Sequence, residues 1–382
     1  MRTRPSLFEE EELSLDNIVQ EKESATFRTA RKVEVADSRR PVYGVLTEPL
    51  RGDMVSTSSG ETVGKHESKM SYIPKAHVQF LEQSGIIVVP ISYLDTEEQM
   101  LATLAAVNGV YITGDSHRAI GNDQYQAAFK SIQKFVSEAN KEEHDYFPMF
   151  LMGKSAQTFV IQNAAGGKTA LKQMRQYRNV NVQVELLKEH DETFLLHQLQ
   201  FDASHAHAFD MGTFFNRQST GLRLRDLESD SRLKKMITPL ASFLGSGDAK
   251  NSMSMDSSAE KEYSKENEFI AIAEGSDLPI YIFTYNIEMT QFVYTDLMQH
   301  PEQSQVIDKT ILCRHHAQFV SQQIADEARL NNHGLTEERD FTQGISQHTL
   351  ASVEYPSDTS EVDQAQPLPK GLEKHDIYII KQ

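Results

Sequence analysis

The chain is poor in cysteine, and its one thiol, Cys313, excludes an intramolecular disulfide. An oxidising compartment therefore offers it no visible advantage. It has no apolar run of the roughly 18–20 residues that a membrane span needs. Basic residues are also scarce against acidic ones, 38 Lys and Arg to 55 Asp and Glu, for a formal net charge of −17. Such a balance opposes binding to nucleic acid and to anionic membranes. The start of the chain lacks the apolar core of a secretory signal, and no Asn-x-Ser/Thr sequon occurs. These absences together lead to the expectation of a reducing, cytoplasmic setting.

What is present is an alternation of apolar strand patterns and amphipathic helix patterns after a polar start. Residues 1–40 mix the acidic run Glu9–Glu12 with Arg28, Arg31, Lys32, Arg39 and Arg40, and read as an extended arm. From Pro41 the pattern predicts a strand over Val42–Leu46, a helix over Tyr72–Ser84 stopped by Gly85, and a strand over Ile86–Ile91. A helix capped near Thr96, a strand over Gly109–Thr113 and a strongly amphipathic helix over Tyr125–Asn140 follow. Four alternations of this kind predict a doubly wound parallel sheet.

Beyond that point the pattern is less regular. Strands are expected over 180–184, 194–199, 269–273 and 280–284, the last two joined by a Gly275-Ser276-Asp277 turn. Helices are expected over Leu222–Ile237 and Thr310–Asn331, and residues 245–267 read as an exposed polar insertion. After Gly334 only Ile377–Ile380 is apolar, and it is expected to add a strand to a sheet edge, its own or a partner's. The predicted division is an arm at 1–40, a domain at 41–333 with the insertion near 245–267, and an extension at 334–382.

The stretch with most chemical content is Phe147–Asn163, an apolar strand ending at Gly153-Lys154 and followed by a helix from Ser155. Strand, sharp turn and helix are the geometry of a nucleophile elbow, in which a reactive side chain sits at the strand end and a helix N-terminus points at it. Acyl transfer there needs Ser, Cys or Thr at the tip, and the tip is Gly153.

Several segments together resemble the gamma-glutamyl hydrolase family of the class I glutamine-amidotransferase-like superfamily. They are Tyr43–Pro49, Tyr72–Glu82, Gly85–Pro90, Asn108-Gly-Val110 with Gly114, Asp145–Pro148, Glu274-Gly275, Pro279–Tyr281, Glu288, Glu327–Arg329 and Asn331–His333. The resemblance implies a class I glutamine-amidotransferase-like (flavodoxin-like) α/β fold, with a mostly parallel sheet, helices on both faces and polar extensions at both ends. It also implies where a site would lie. The family's Gly-Thr-Cys-Leu-Gly-Phe-Glu corresponds to Leu151–Gln157, so Gly153 stands at the Cys position. Its Gln-Trp-His-Pro-Glu corresponds to Thr284–Glu288, so Asn286 stands at the His position and Glu288 keeps the orienting acid. Its Gly-rich oxyanion loop corresponds to Thr113-Gly114-Asp115-Ser116, where an inward Asp115 would repel a developing oxyanion. A further family His falls among His197, His205 and His207.

Losing a nucleophile or its base costs on the order of 10⁶ in kcat in a comparable catalytic unit. The expectation drawn from this is a protein that is not an enzyme, a catalytically inactive member of the family with no catalytic residue intact. It would serve as a structural or interaction subunit of a larger assembly, cytoskeletal or organellar. Its extensions and insertion would meet other protein subunits, with no cofactor, no metal, no nucleic acid and no membrane. The alternatives are a module that binds γ-glutamyl or folate-type ligands, or a residual hydrolase in which Lys154 activates Ser155. Gly153-Lys154-Ser155 and Gly167-Lys168-Thr169 lack the earlier glycine of a phosphate loop, having Pro148 and Gln162 in its place. His205 with His207, and His315 with His316, lack accompanying ligands at metal spacing. Cys313 reads as a plain buried thiol.

Overall fold

The computed structural model describes residues 40–50, 55–56, 70–114, 117–141, 145–174, 180–187, 213–244, 268–292, 310–331, 333, 345, 349–354 and 374–381. The arm at 1–39, the insertion at 245–267, the 194–199 strand expectation, Asp115, His197, His205 and His207 lie outside the described residues.

Among the described residues, the central sheet has eight strands. Five are mutually parallel, in the order Ile87–Ile91, Val42–Leu46, Gly109–Ile112, Met149–Met152 and Ile280–Phe283. Glu268–Gly275, Ile237–Leu244 and Glu185–Leu186 extend it with antiparallel pairing. The inner parallel strands read as unbroken apolar runs because both faces are covered. Alternate residues divide between two apolar clusters: Tyr43, Val45, Tyr111 and Phe150 on one face, Val42, Leu46, Val110 and Leu151 on the other. Lys75–Glu82 and the long helix Ile311–Arg329 supply Val78, Phe80, Val320 and Ile324 to the first face. Glu97–Leu104, Asp123–Ala139 and Lys154–Asn163 supply Met100, Phe129, Ile132 and Phe159 to the second. Each of these fully buried side chains contributes about 1.5–3 kcal/mol relative to exposure.

Local signals set the helix starts. Thr96 accepts from the Gln99 amide while Gln99 returns a bond to Thr96, a reciprocal capping box. Asn122 caps Asp123–Ala139 through the Tyr125 amide. Thr310 caps the long helix through the Cys313 amide.

Three expectations need correction. The helix expected from Tyr72 begins at Lys75, and Met70–Pro74 is a strand. Pro74 explains the shift, since the residue before a proline is driven to extended backbone. The single helix expected over Leu222–Ile237 is two short ones, Leu224–Ser229 and Leu233–Met236. The strand Ile237–Leu244 was not foreseen at all; it carries Pro239 and a shift of register beside it. Proline argues against a central strand, and a bulge is the place where one is tolerated.

A second, five-stranded sheet joins distant parts of the chain, in the order Glu48–Pro49, Met70–Pro74, Lys374–Lys381, Thr349–Glu354 and Val55–Ser56. The C-terminal apolar patch thus adds its strand to the protein's own sheet, between Met70–Pro74 and Thr349–Glu354. Ile377 and Ile379 pack there with Met70 and Tyr72.

Candidate functional site

Met149–Met152 runs into Gly153, and the chain turns at once into the helix Lys154–Asn163. Gly153 has φ 58° and ψ −120°, a conformation that L side chains rarely adopt. The Gly153 amide donates to the Phe283 carbonyl at 2.8 Å, pinning the tip to the neighbouring strand. This is the strained backbone of a nucleophile elbow without the nucleophile.

The four described positions expected at the site come together. A Cβ on Gly153 would lie 3.0 Å from the Gly114 carbonyl, 3.1 Å from Gln218 Nε2 and 3.4 Å from Asn286 Nδ2. Asn286 Nδ2 donates to Glu288 Oε1 at 3.0 Å. Gly114 is pressed onto the elbow: a Cβ there would collide with the Met152 carbonyl and the Lys154 and Ser155 amides. The Gly114 carbonyl accepts from the Lys154 amide at 2.9 Å, so that helix N-terminal donor is engaged.

The two hydroxyl and thiol candidates stand elsewhere. Ser155 donates to the carbonyls of Ile112 at 3.0 Å and Met152 at 2.8 Å, turning its oxygen back toward the strand ends. Cys313 is fully buried in the long helix. His316 is buried too, with Nε2 2.8 Å from the Tyr285 hydroxyl. Burial, and then the nearby Cys313, hold the Tyr285 phenol well above its ordinary pKa and therefore neutral. No group of three metal-ligating side chains occurs among the described residues.

Sequence reasoning missed three residues of the surrounding polar cluster. His77 is fully buried, with Nε2 3.7 Å from Glu288 Oε1 and Nδ1 2.7 Å from the Tyr111 hydroxyl. A polar residue beside Val78, Phe80 and Leu81 on a buried helix was the available signal. Gln157 donates to Gln218 Oε1 at 3.1 Å and to the Thr220 carbonyl at 2.8 Å. With Gln218 Oε1 so occupied, its Nε2 turns toward Gly153 and the Asn286 carboxamide, 3.5 Å from Asn286 Oδ1. Nothing in the local pattern marks Gln218, which reaches the tip only through the tertiary fold.

Other segments of the resemblance lie at the opposite, N-terminal ends of the parallel strands. Asn108 accepts from the Val42 amide at 2.9 Å and donates to the His333 carbonyl at 2.6 Å. Asn331 donates to the Tyr146 carbonyl at 2.5 Å, and His333 Nε2 lies 3.0 Å from Asp145 Oδ2. Glu327 accepts from the hydroxyls of Tyr146 and Tyr281. These groups clamp the end of the long helix to the sheet, away from the elbow.

A mostly parallel sheet with an elbow at the C-terminal ends of its strands, and helices on both faces, defines an α/β protein. The chain matches no family model. It is 22% identical to gamma-glutamyl hydrolase B of Dictyostelium discoideum over 311 residues, 78% of this chain and 75% of that one. It is 31% identical to gamma-glutamyl hydrolase 1 of Arabidopsis thaliana over 111 residues, 29% of each chain. It is 37% identical to a gamma-glutamyl hydrolase of Glycine max over 75 residues, 20% of each. The chain is thus similar, along most of its length, to a protein named gamma-glutamyl hydrolase. Among solved structures, PurLQS of Thermotoga maritima has a TM-score of 0.38 at 9% identity, covering 75% of this chain and 99% of that one. A glutamine amidotransferase of Thermotoga maritima has 0.37 at 8% identity, covering 77% and 96%.

These relatives overturn one expectation. Several carry the name of a hydrolase, which points to an enzyme and leaves the expected absence of activity unsupported. The physical error was to equate a missing side chain with missing hydrolysis. An empty tip removes a covalent route, whereas water activated by a general base attacks a carbonyl without one.

Proposed function

We propose that the chain is a hydrolase-class protein that takes γ-glutamyl-type amides at the elbow tip, Gly153. The observation that carries this is the similarity over three quarters of the chain to a named gamma-glutamyl hydrolase. The strained elbow backbone supports it, because the fold keeps the conformation that presents a reacting group. With no side chain at the tip and the Ser155 hydroxyl turned away, water is the attacking group in this proposal. Glu288, held beside the tip by the Asn286 N–H and 3.7 Å from His77, is the group assigned to take the proton of that water directly. The test is release of glutamate from a γ-glutamyl dipeptide by the full chain. Glu288→Gln is expected to lower turnover roughly 10²–10⁴-fold, the usual contribution of a general base. Unchanged turnover in that variant removes Glu288 from the chemistry.

A second role, as part of a larger cytoplasmic assembly, is proposed from the polar segments 1–40 and 245–267, whose composition does not suit a packed core. No helix among the described residues is long and apolar enough to cross a membrane. Co-purification that survives deletion of both segments counts against this role.

A further inference from the structure

His77 is fully buried, and the step proposed above gives it no task of its own. It sits in the first turn of the helix Lys75–Glu82, among the buried residues that also include Val78, Phe80 and Leu81. A polar ring among such neighbours costs free energy unless its nitrogens are engaged. Tyr111 and Glu288 stand at those nitrogens. Nδ1 lies 2.7 Å from the Tyr111 hydroxyl, with the rings edge to face, 5.6 Å between centroids and 62° between planes. Nε2 lies 3.7 Å from Glu288 Oε1. Each side chain comes from a different element. Tyr111 belongs to the parallel strand Gly109–Ile112. Glu288 directly precedes the short helix Met289–Phe292, which packs against the helix of His77. The fold thus sets Tyr111, His77 and Glu288 in a row, and Asn286 Nδ2 donates to the same Glu288 oxygen at 3.0 Å.

Charge decides which group donates. A neutral imidazole carries one N–H and one lone pair. As the base of the proposed step, Glu288 is ionised. With the hydrogen on Nδ1, the Nε2 lone pair would face that carboxylate, and Tyr111, His77 and Glu288 are all buried where repulsion is strengthened. With the hydrogen on Nε2, the N–H dipole points at the carboxylate and Nδ1 accepts from the Tyr111 hydroxyl. At 3.7 Å the contact is longer than a hydrogen bond, so the pull is that of a dipole on a charge. We infer that Tyr111 and His77 are positioning residues for Glu288. The tyrosine hydroxyl keeps the imidazole hydrogen on Nε2, and that N–H, with the Asn286 amide, holds the carboxylate beside the elbow tip. This rests on the assignment of Glu288 above and adds to it the groups that aim it. Such partners act through geometry, where a misplacement of about 1 Å costs on the order of 10²-fold in rate.

Nitrogen NMR of the full chain with isotopically labelled histidine reads the position of the hydrogen directly. The signals lost in His77→Gln assign His77 among the 14 histidines. The expected spectrum at neutral pH has His77 protonated on Nε2 and bare on Nδ1, and in Tyr111→Phe the form protonated on Nδ1 is expected to appear. Protonation of Nδ1 in the unmodified chain, with or without Nε2, overturns the inference, as does a spectrum that Tyr111→Phe leaves unchanged. The second readout is glutamate release from a γ-glutamyl dipeptide. His77→Leu is expected to lower kcat on the order of 10²-fold with KM little changed. His77→Gln, which keeps a side-chain N–H, is expected to recover part of that loss. Equal rates in all three proteins, or equal loss in both variants, overturns the positioning role. If the unmodified chain releases nothing, the hydrolase reading falls, while the nitrogen spectrum still decides whether Tyr111 and His77 hold Glu288 as described.

Discussion

Gly153 combines a backbone conformation that only glycine adopts cheaply with neighbours already at contact distance. Adding a methyl group there brings strain of about 1–3 kcal/mol. It also sets a Cβ 3.0 Å from the Gly114 carbonyl and 3.1 Å from Gln218 Nε2. Gly153→Ala is therefore expected to lower unfolding free energy by at least about 1 kcal/mol in denaturant titration; an unchanged midpoint would mean the tip is relaxed. His333 offers a pH test. Its hydrogen bond to Asp145 raises its pKa above the ordinary 6.5, with burial opposing. A raised folded-state pKa means that the stabilisation is fully present below 6.5 and is lost as pH rises through the folded value. Stability is expected to fall over that window, and Asp145→Asn is expected to flatten the fall. Identical pH curves for the two proteins would show that the pair is not coupled to folding.

Single elements were legible in the sequence where one local signal agreed with periodicity. The cap at Thr96 and the Phe129/Ile132/Val136 stripe report local chemistry, and helices lie at both places. The elbow was legible for the same reason: an apolar run, a glycine and a helix are contiguous. Ile237–Leu244 was not, because Pro239 is acceptable only beside a register shift that the partner strand Glu268–Gly275 creates. Met70–Pro74 was hidden because its partners, Glu48–Pro49 and Lys374–Lys381, are remote in sequence. Gln218 was invisible likewise, since its place at the tip depends on Gln157 across the fold. The C-terminal strand gives the test at this scale. Ile377 is fully buried between two paired strands, so Ile377→Ala is expected to cost about 2–5 kcal/mol. A loss below about 0.5 kcal/mol, the range of surface substitutions, would show that the strand is not held there.

For the molecule as a whole, the two ends of the parallel strands have different tasks. Asn108, Asp145, Asn331 and His333 tie the long helix to the N-terminal ends. Gly153, Gly114, Asn286 and Glu288 gather at the C-terminal ends, where open α/β sheets bind ligands. The segments that resemble gamma-glutamyl hydrolases therefore include both a structural clamp and the candidate site, and the residues of the clamp speak to folding rather than chemistry. The elbow keeps its strain and has two carboxamides beside its tip, and among the described residues no thiol or hydroxyl is presented there. The most direct measurement is glutamate release from γ-glutamyl-leucine by the full-length chain, by Ser155→Ala and by chain treated with iodoacetamide. The account predicts release in all three at the same rate, because Ser155 turns its hydroxyl back onto the carbonyls of Ile112 and Met152 and Cys313 is buried in the long helix. Release abolished by the substitution or by alkylation, or no release from any of the three, would contradict it.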